Sequence, residues 1–115
     1  MSDINISEVI KKVVDASKKE LDLIITESEP YAMQAASQYL VNLESRGTAL
    51  LNVVADQNFE GDKLAFVIAR IKDEPEILKT EVFSFIIIGA GIAQNIINSI
   101  QNILLDAIQS ILPSA

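Results

Sequence analysis

Apolar residues in the first part of the chain fall at Ile6, Val9, Ile10, Val13, Val14, Leu21, Ile24 and Ile25. Steps of three and four match the turn of an α-helix and put one apolar stripe toward a core. The other face carries Lys11, Lys12, Lys18, Lys19, Glu20 and Asp22. Glu8 with Lys12, and Asp15 with Lys19, are acid-before-base pairs four residues apart, the favourable order on a helix. The pattern predicts a first helix over about 7–27, starting near Ser7. Glu27, Ser28, Glu29 and Pro30 then punctuate the chain: Ser28 or Glu29 can cap, and proline suits a first helical position.

A second stripe follows at Met33, Ala36, Leu40, Leu43, Gly47, Leu50 and Val54. It steps alternately by three and four, as in the seam of packed helices. Gly47 weakens helix propensity but lets another helix approach closely. One helix over 30–57 is predicted, with a bend at Gly47 as the alternative. Asp56 to Asp62 breaks the pattern, and Leu64, Val67, Ile68 and Ile71 give a third helix over 63–73. Asp73, Glu74 and Pro75 repeat the device of acids before a proline, which favours a boundary there.

The last stripe is Val82, Phe85, Ile86, Gly89, Ile92, Ile96, Ile100, Ile103, Ala107 and Ile111. It predicts a fourth helix over 75–112, about 57 Å long at about 1.5 Å per residue. A small bundle cannot cover such a helix on all sides. Either it bends near Gly89 or its C-terminal part projects into an oligomer. A strand at 82–88 is the rival for this stretch. The expected fold class is all-α: a small bundle of about four helices in one domain, with a charged amphipathic region over 1–81 and a nearly uncharged C-terminal helix in 82–115.

Charge sharpens that division. The chain of 115 residues has 9 basic and 16 acidic residues, a formal net charge of −7. Asp106 is the single charged residue after position 81. So acidic a chain argues against nucleic acid, whose phosphates need clustered Lys and Arg. It favours solubility or a basic protein partner. No Cys, His or Trp occurs, which removes disulfides, thiolate chemistry, imidazole bases and the common zinc ligands. The N-terminus shows no basic segment followed by an apolar one, so no signal peptide is expected. The expected location is the cytoplasm or an assembled particle.

Several motifs invite chemistry and are better explained by structure. Phe85-Ile-Ile-Ile-Gly89-Ala-Gly91 resembles a strand entering a dinucleotide-binding loop. Yet Gln94 holds the third glycine position and too little chain follows for a sheet. A patch of small residues at Gly89–Gly91 where helices cross closely is the simpler reading. Asp56, Asn58, Glu60 and Gly61 begin like a calcium loop, but Val67 stands where the closing Glu is required. A turn with Asp62 as the next N-cap accounts for it. Asp73, Glu74, Glu76, Glu27 and Glu29 could pair for acid–base work. All lie at helix starts, where acids meet the dipole favourably. Ser84 and Ser99 have no histidine to activate them. No enzyme, cofactor or metal is expected.

The uncharged run from Val82 to Leu105 is nominally long enough to cross a bilayer. Gln94, Asn95, Asn98, Ser99, Gln101 and Asn102 interrupt it, and unpaired amides are costly in lipid. Aromatic belts and basic flanks are missing. A membrane is therefore possible but not favoured. The favoured alternative is an interface, because interface cores are depleted in charge and Asn or Gln at helix contacts can fix register. The expected self-association residues are Ile92, Ile96, Ile100, Ile103 and Ile111 with Gln94, Asn98 and Asn102. The expected function is a non-enzymatic structural or assembly protein forming homo-oligomers. Virion and phage-tail subunits share this style of composition, by analogy only. The alternative is a membrane-active protein that inserts, or lines a pore, through its C-terminal helix.

Overall fold

A computed structural model of the chain describes residues 5–26, 29–56 and 61–111. Those residues form five α-helices and no strand: α1 (Ile6–Asp22), α2 (Pro30–Ala55), α3 (Gly61–Ile71), α4 (Glu74–Glu81) and α5 (Ala90–Ile111). A 3-10 turn at Phe83–Phe85 joins the last two. The bundle measures 47 × 23 × 18 Å. Its long axis accommodates α2, whose 26 residues extend about 39 Å at the helical rise.

The helix starts follow local chemistry. Asn5 caps α1, its Oδ1 accepting the Glu8 N–H at 3.2 Å, one residue earlier than the sequence suggests. Pro30 opens α2 in the first turn, after Glu29, whose side chain makes no cap bond; Ser28 lies outside the described residues. Asp62 falls in the first turn of α3 rather than at its N-cap, because the helix already begins at Gly61. Lys18–Asp22, at 2.8 Å, is the pair that closes on α1. Glu8–Lys12 and Asp15–Lys19 do not close among the described residues. All these side chains are exposed, where a solvated pair adds little to hold it.

The core is one cluster drawn from every helix. Ile10, Val13 and Leu21 of α1 meet Leu43, Leu51 and Val54 of α2, Val67 and Ile71 of α3, Leu78 of α4, and Ile96, Ile100 and Leu104 of α5. Gly47 is buried within α2, which runs unbroken through it. The close approach it permits is to α1: a β-carbon there would collide with Ile10 Cδ1.

The predicted fourth helix is two helices. Residues 82–89 carry the 3-10 turn and then an extended stretch, with Ile86 at φ −141° and ψ 143°. Three consecutive β-branched isoleucines favour extended backbone, and Gly89 gives helix propensity its lowest value short of proline. The Gly89 carbonyl accepts the Ala93 N–H at 2.9 Å, so helix resumes directly after it. Gly89, Ala90 and Gly91 are all exposed, and a β-carbon on either glycine would meet nothing within 4 Å. The expectation of a close helix crossing there is therefore wrong within the chain. With no strand before these glycines, the dinucleotide loop loses its frame as well.

Candidate assembly face and the buried ion pair

Helix α5 divides into two faces. Ile96, Ile97, Ile100, Leu104, Ala107, Ile108 and Ile111 are buried against the rest of the chain. Gly91, Asn95, Asn98, Asn102, Leu105 and Gln109 are exposed. Their spacing of four, three, four, three, four forms a second seam, the kind along which two helices can lie together. Gln94 stands beside it and donates Nε2–H to Asn98 Oδ1 at 2.9 Å. Ile92, 53% exposed, marks the N-terminal end. Asp106 is the single charge in the whole helix.

The expected self-association residues are thus separated. Ile96, Ile100 and Ile111 serve the chain's own core, and Ile103 is half-buried against it. Ile92, Gln94, Asn98 and Asn102 remain on the outside. The stripe inferred from sequence is turned by part of a helical step relative to the buried one. Buried Ile97, Leu104 and Ile108 belong to the inner face, and Ile92 does not.

Next to Ile92 lies the most exposed apolar segment. Phe85 is 55% exposed and Ile87 is fully so. Both belong to the segment between α4 and α5; Phe85 lies beside the N-terminal half of α2, while Ile87 is left in the open.

A polar contact inside the bundle has no counterpart in the sequence reading. Arg46 of α2 grips Glu74 of α4: Nε and Nη2 donate to Oε1 at 3.1 and 2.7 Å, and Nη2 also reaches Oε2 at 3.1 Å. Glu74 is almost wholly buried, whereas Arg46 keeps about a third of its side chain in solvent. Burial pushes the Glu74 carboxyl up from its ordinary range, and the Arg46 guanidinium opposes that shift. Arg46 also lies over the Tyr39 ring, 5.4 Å from its centroid, a cation–π geometry. Tyr39 is fully buried, and that burial raises its hydroxyl pKa strongly. Tyr39 and Arg46 are seven residues apart and so share a helix face, which is the one signal the sequence holds.

The carboxylates considered for acid–base chemistry have structural partners. Glu74 holds Arg46, Asp73 lies 3.6 Å from Arg70, and Glu76 lies 3.6 Å from Lys79. Glu29 accepts the Thr26 hydroxyl at 3.3 Å; Glu27 lies outside the described residues. Ser84 donates its hydroxyl to the Thr80 carbonyl at 2.7 Å. Asn58 and Glu60 of the calcium-like loop also lie outside the described residues, while Asp56 meets Lys63 at 3.4 Å. No group of three or more potential metal ligands occurs among the described residues.

An apolar groove of about 330 Å³ runs beside the ion pair, between Leu43, Leu50 and Val53 of α2, Phe66 of α3, Ile77 of α4 and Leu104 of α5. Arg46 and Arg70 edge it, each already matched by a carboxylate. Comparison with known protein families, characterised proteins and solved structures finds no match to this chain.

Proposed function

We propose that this chain is a non-enzymatic assembly protein whose copies join through the outer face of α5. The observation that carries this reading is an exposed helical seam with almost no charge, on a chain whose net charge is −7. Two copies of so acidic a protein repel each other over most of their surface. An uncharged face is where a second copy can approach without that cost. Amides suit the purpose chemically: each carries donors and acceptors together. A row of Asn and Gln can therefore pair with the same row on a copy related by a two-fold axis. A row of lysines or glutamates could not.

Sedimentation velocity tests the proposal on wild type and on Asn98→Glu/Asn102→Glu. Both positions are exposed, so the fold should survive, as circular dichroism will show. Wild type should sediment as a dimer or larger, and the variant as a monomer. A wild type that stays monomeric at about 100 μM, a weak Kd by the usual scale, overturns the reading. An oligomer that tolerates both glutamates removes it from this face.

A second reading rests on Phe85, Ile87 and Ile92, which expose apolar surface around the start of α5. Such a patch could seat at a lipid interface and bring α5 with it. No helix among the described residues is long and apolar enough to cross a membrane, so any insertion would require rearrangement. Adding anionic vesicles to the same samples separates the readings. Dye leakage that Ile87→Asp abolishes favours the membrane, and an oligomer indifferent to vesicles favours assembly.

A further inference from the structure

The six aromatic residues of this chain are two tyrosines and four phenylalanines. Both tyrosines and Phe85 line one open cleft of about 420 Å³, between the N-terminal half of α2 and the end of α4. Gln34 and Gln38 lie along it and Glu81 stands at its α4 side. Glu81 Oε2 is buried without a hydrogen-bond partner, whereas the Tyr39 hydroxyl has the Arg46 guanidinium beside it. A buried carboxylate oxygen lacking a donor is costly and asks for one. Among the described residues lining the cleft, Glu81 is the single carboxylate and none is basic.

We propose that this cleft binds an alkylammonium group. The cation would pair with the Glu81 carboxylate from the open side of the cleft, while its methylenes lie against the rings of Tyr31 and Phe85. Each feature selects for this chemistry. Aromatic faces attract cations, and more so when water is excluded. The unpartnered carboxylate oxygen supplies charge and an acceptor. The chain's overall negative charge draws cations toward it. An anion would meet Glu81 with no basic residue to offset it. A neutral alkyl group would leave the carboxylate unmet. The Arg46 guanidinium covers a face of Tyr39 but is neutralised by Glu74, so it does not repel the guest as a free charge would. The source of the ammonium is either a free amine or a lysine side chain on another polypeptide.

The chain contains no tryptophan, so its intrinsic emission comes from Tyr31 and Tyr39 alone. Both are in the cleft, and tyrosine fluorescence therefore reports directly on its occupancy. The probe is n-butylammonium, the lysine side chain without its backbone, titrated at constant ionic strength. Its neutral isostere n-butanol is the control. Butylammonium should change the emission saturably, with a Kd of ~1 mM, about 4 kcal/mol on the usual scale. Butanol should not. Glu81→Gln should weaken binding by about tenfold or more, as loss of a charge-assisted hydrogen bond does. Phe85→Ala, at an exposed position, should weaken it with the helical signal unchanged. A capped Gly-Lys-Gly peptide separates the sources. Tighter binding than butylammonium points to a lysine on a protein, and weaker binding to a free amine. Equal response to butanol, no saturation with butylammonium, or a Glu81→Gln variant that binds as wild type overturns the proposal.

Discussion

Helices α1 and α5 pack on each other and bury similar stripes, yet they face solvent in opposite ways. Helix α1 has eight charged residues among its 17: Glu8, Lys11, Lys12, Asp15, Lys18, Lys19, Glu20 and Asp22. Helix α5 has one among 22. The inward faces do the same work, through Ile10, Val13 and Leu21 on one side and Ile96, Ile100 and Leu104 on the other. Burial of apolar surface decides the fold, and both helices satisfy it. The outward faces decide what else the chain can touch. Lysines and glutamates keep α1 hydrated, while the amides of α5 can exchange water for a partner at lower cost.

The sharpest way to break this comparison is to put the same new charge on each face of α5. Ile100 is fully buried. Ile100→Asp would leave a carboxylate without a partner in the core, a cost of several kcal/mol against about 5–15 kcal/mol for a whole domain. The helical signal at 222 nm should collapse or melt far below wild type. Asn98→Asp, two residues away and exposed, should change monomer stability by no more than about 0.5 kcal/mol. If the two variants melt alike, α5 does not have the two faces described here.

The ion pair should come next in size, and its two halves should be unequal. Removing Arg46 leaves the Glu74 carboxylate buried and unmatched, at about 3–5 kcal/mol. Removing Glu74 leaves Arg46 partly in solvent, where water can serve it, so Glu74→Leu should cost less than Arg46→Leu. The double leucine variant should recover much of the loss, since apolar replacement of a buried pair is often neutral. Urea unfolding of the three variants measures this, and additive single effects would refute the coupling. The pH dependence has a definite sign. Glu74 binds its proton more tightly folded than unfolded. Its contribution is therefore most favourable below the ordinary carboxylate range and declines as pH rises through the raised value. Glu74→Gln should flatten that part of the stability profile.

Much of this fold is legible in the pattern of apolar residues. The stripe of α1, the Ala36, Leu40, Leu43 and Val54 positions of α2 and the glycine seam at Gly47 appear there because they depend on spacing within one helix, whereas Met33 is exposed and Tyr39 and Leu51 take buried places that the stripe does not include. Two further features do not appear there. The three-four spacing runs on through Val82, Phe85, Ile86, Gly89 and Ile92, and periodicity alone cannot see that three isoleucines and a glycine outweigh it. The pairing of Arg46 with Glu74 spans 28 residues and depends on how α4 docks on α2. Glu74 beside Pro75 has a sufficient local explanation as a helix-start acid, which conceals its inward turn. The candidate face of α5 is half legible: the loss of charge is plain in the sequence. Which isoleucines face inward depends on a rotation of the helix that a 3.6-residue period leaves open by part of a turn.

Ser17 offers the smallest and most local test of the inward faces. It occupies a core position in α1, between Val13 and Leu21, and is fully buried. Its hydroxyl has no hydrogen-bond partner. Serine is also a weaker helix former than alanine, by roughly half a kcal/mol. Ser17→Ala removes an unsatisfied polar atom, keeps nearly the same volume and favours the helix. It should stabilise the chain by about 1 kcal/mol. That is a rise in Tm of several degrees for a domain of this size. The outward face of α1 tolerates polar groups because water reaches them, and the same change at exposed Ser7 should give no hydroxyl-desolvation gain. Differential scanning calorimetry of both variants decides the matter. A Ser17→Ala protein that melts no higher than wild type would show that the hydroxyl is satisfied, and that this part of the core is wetter than its packing indicates.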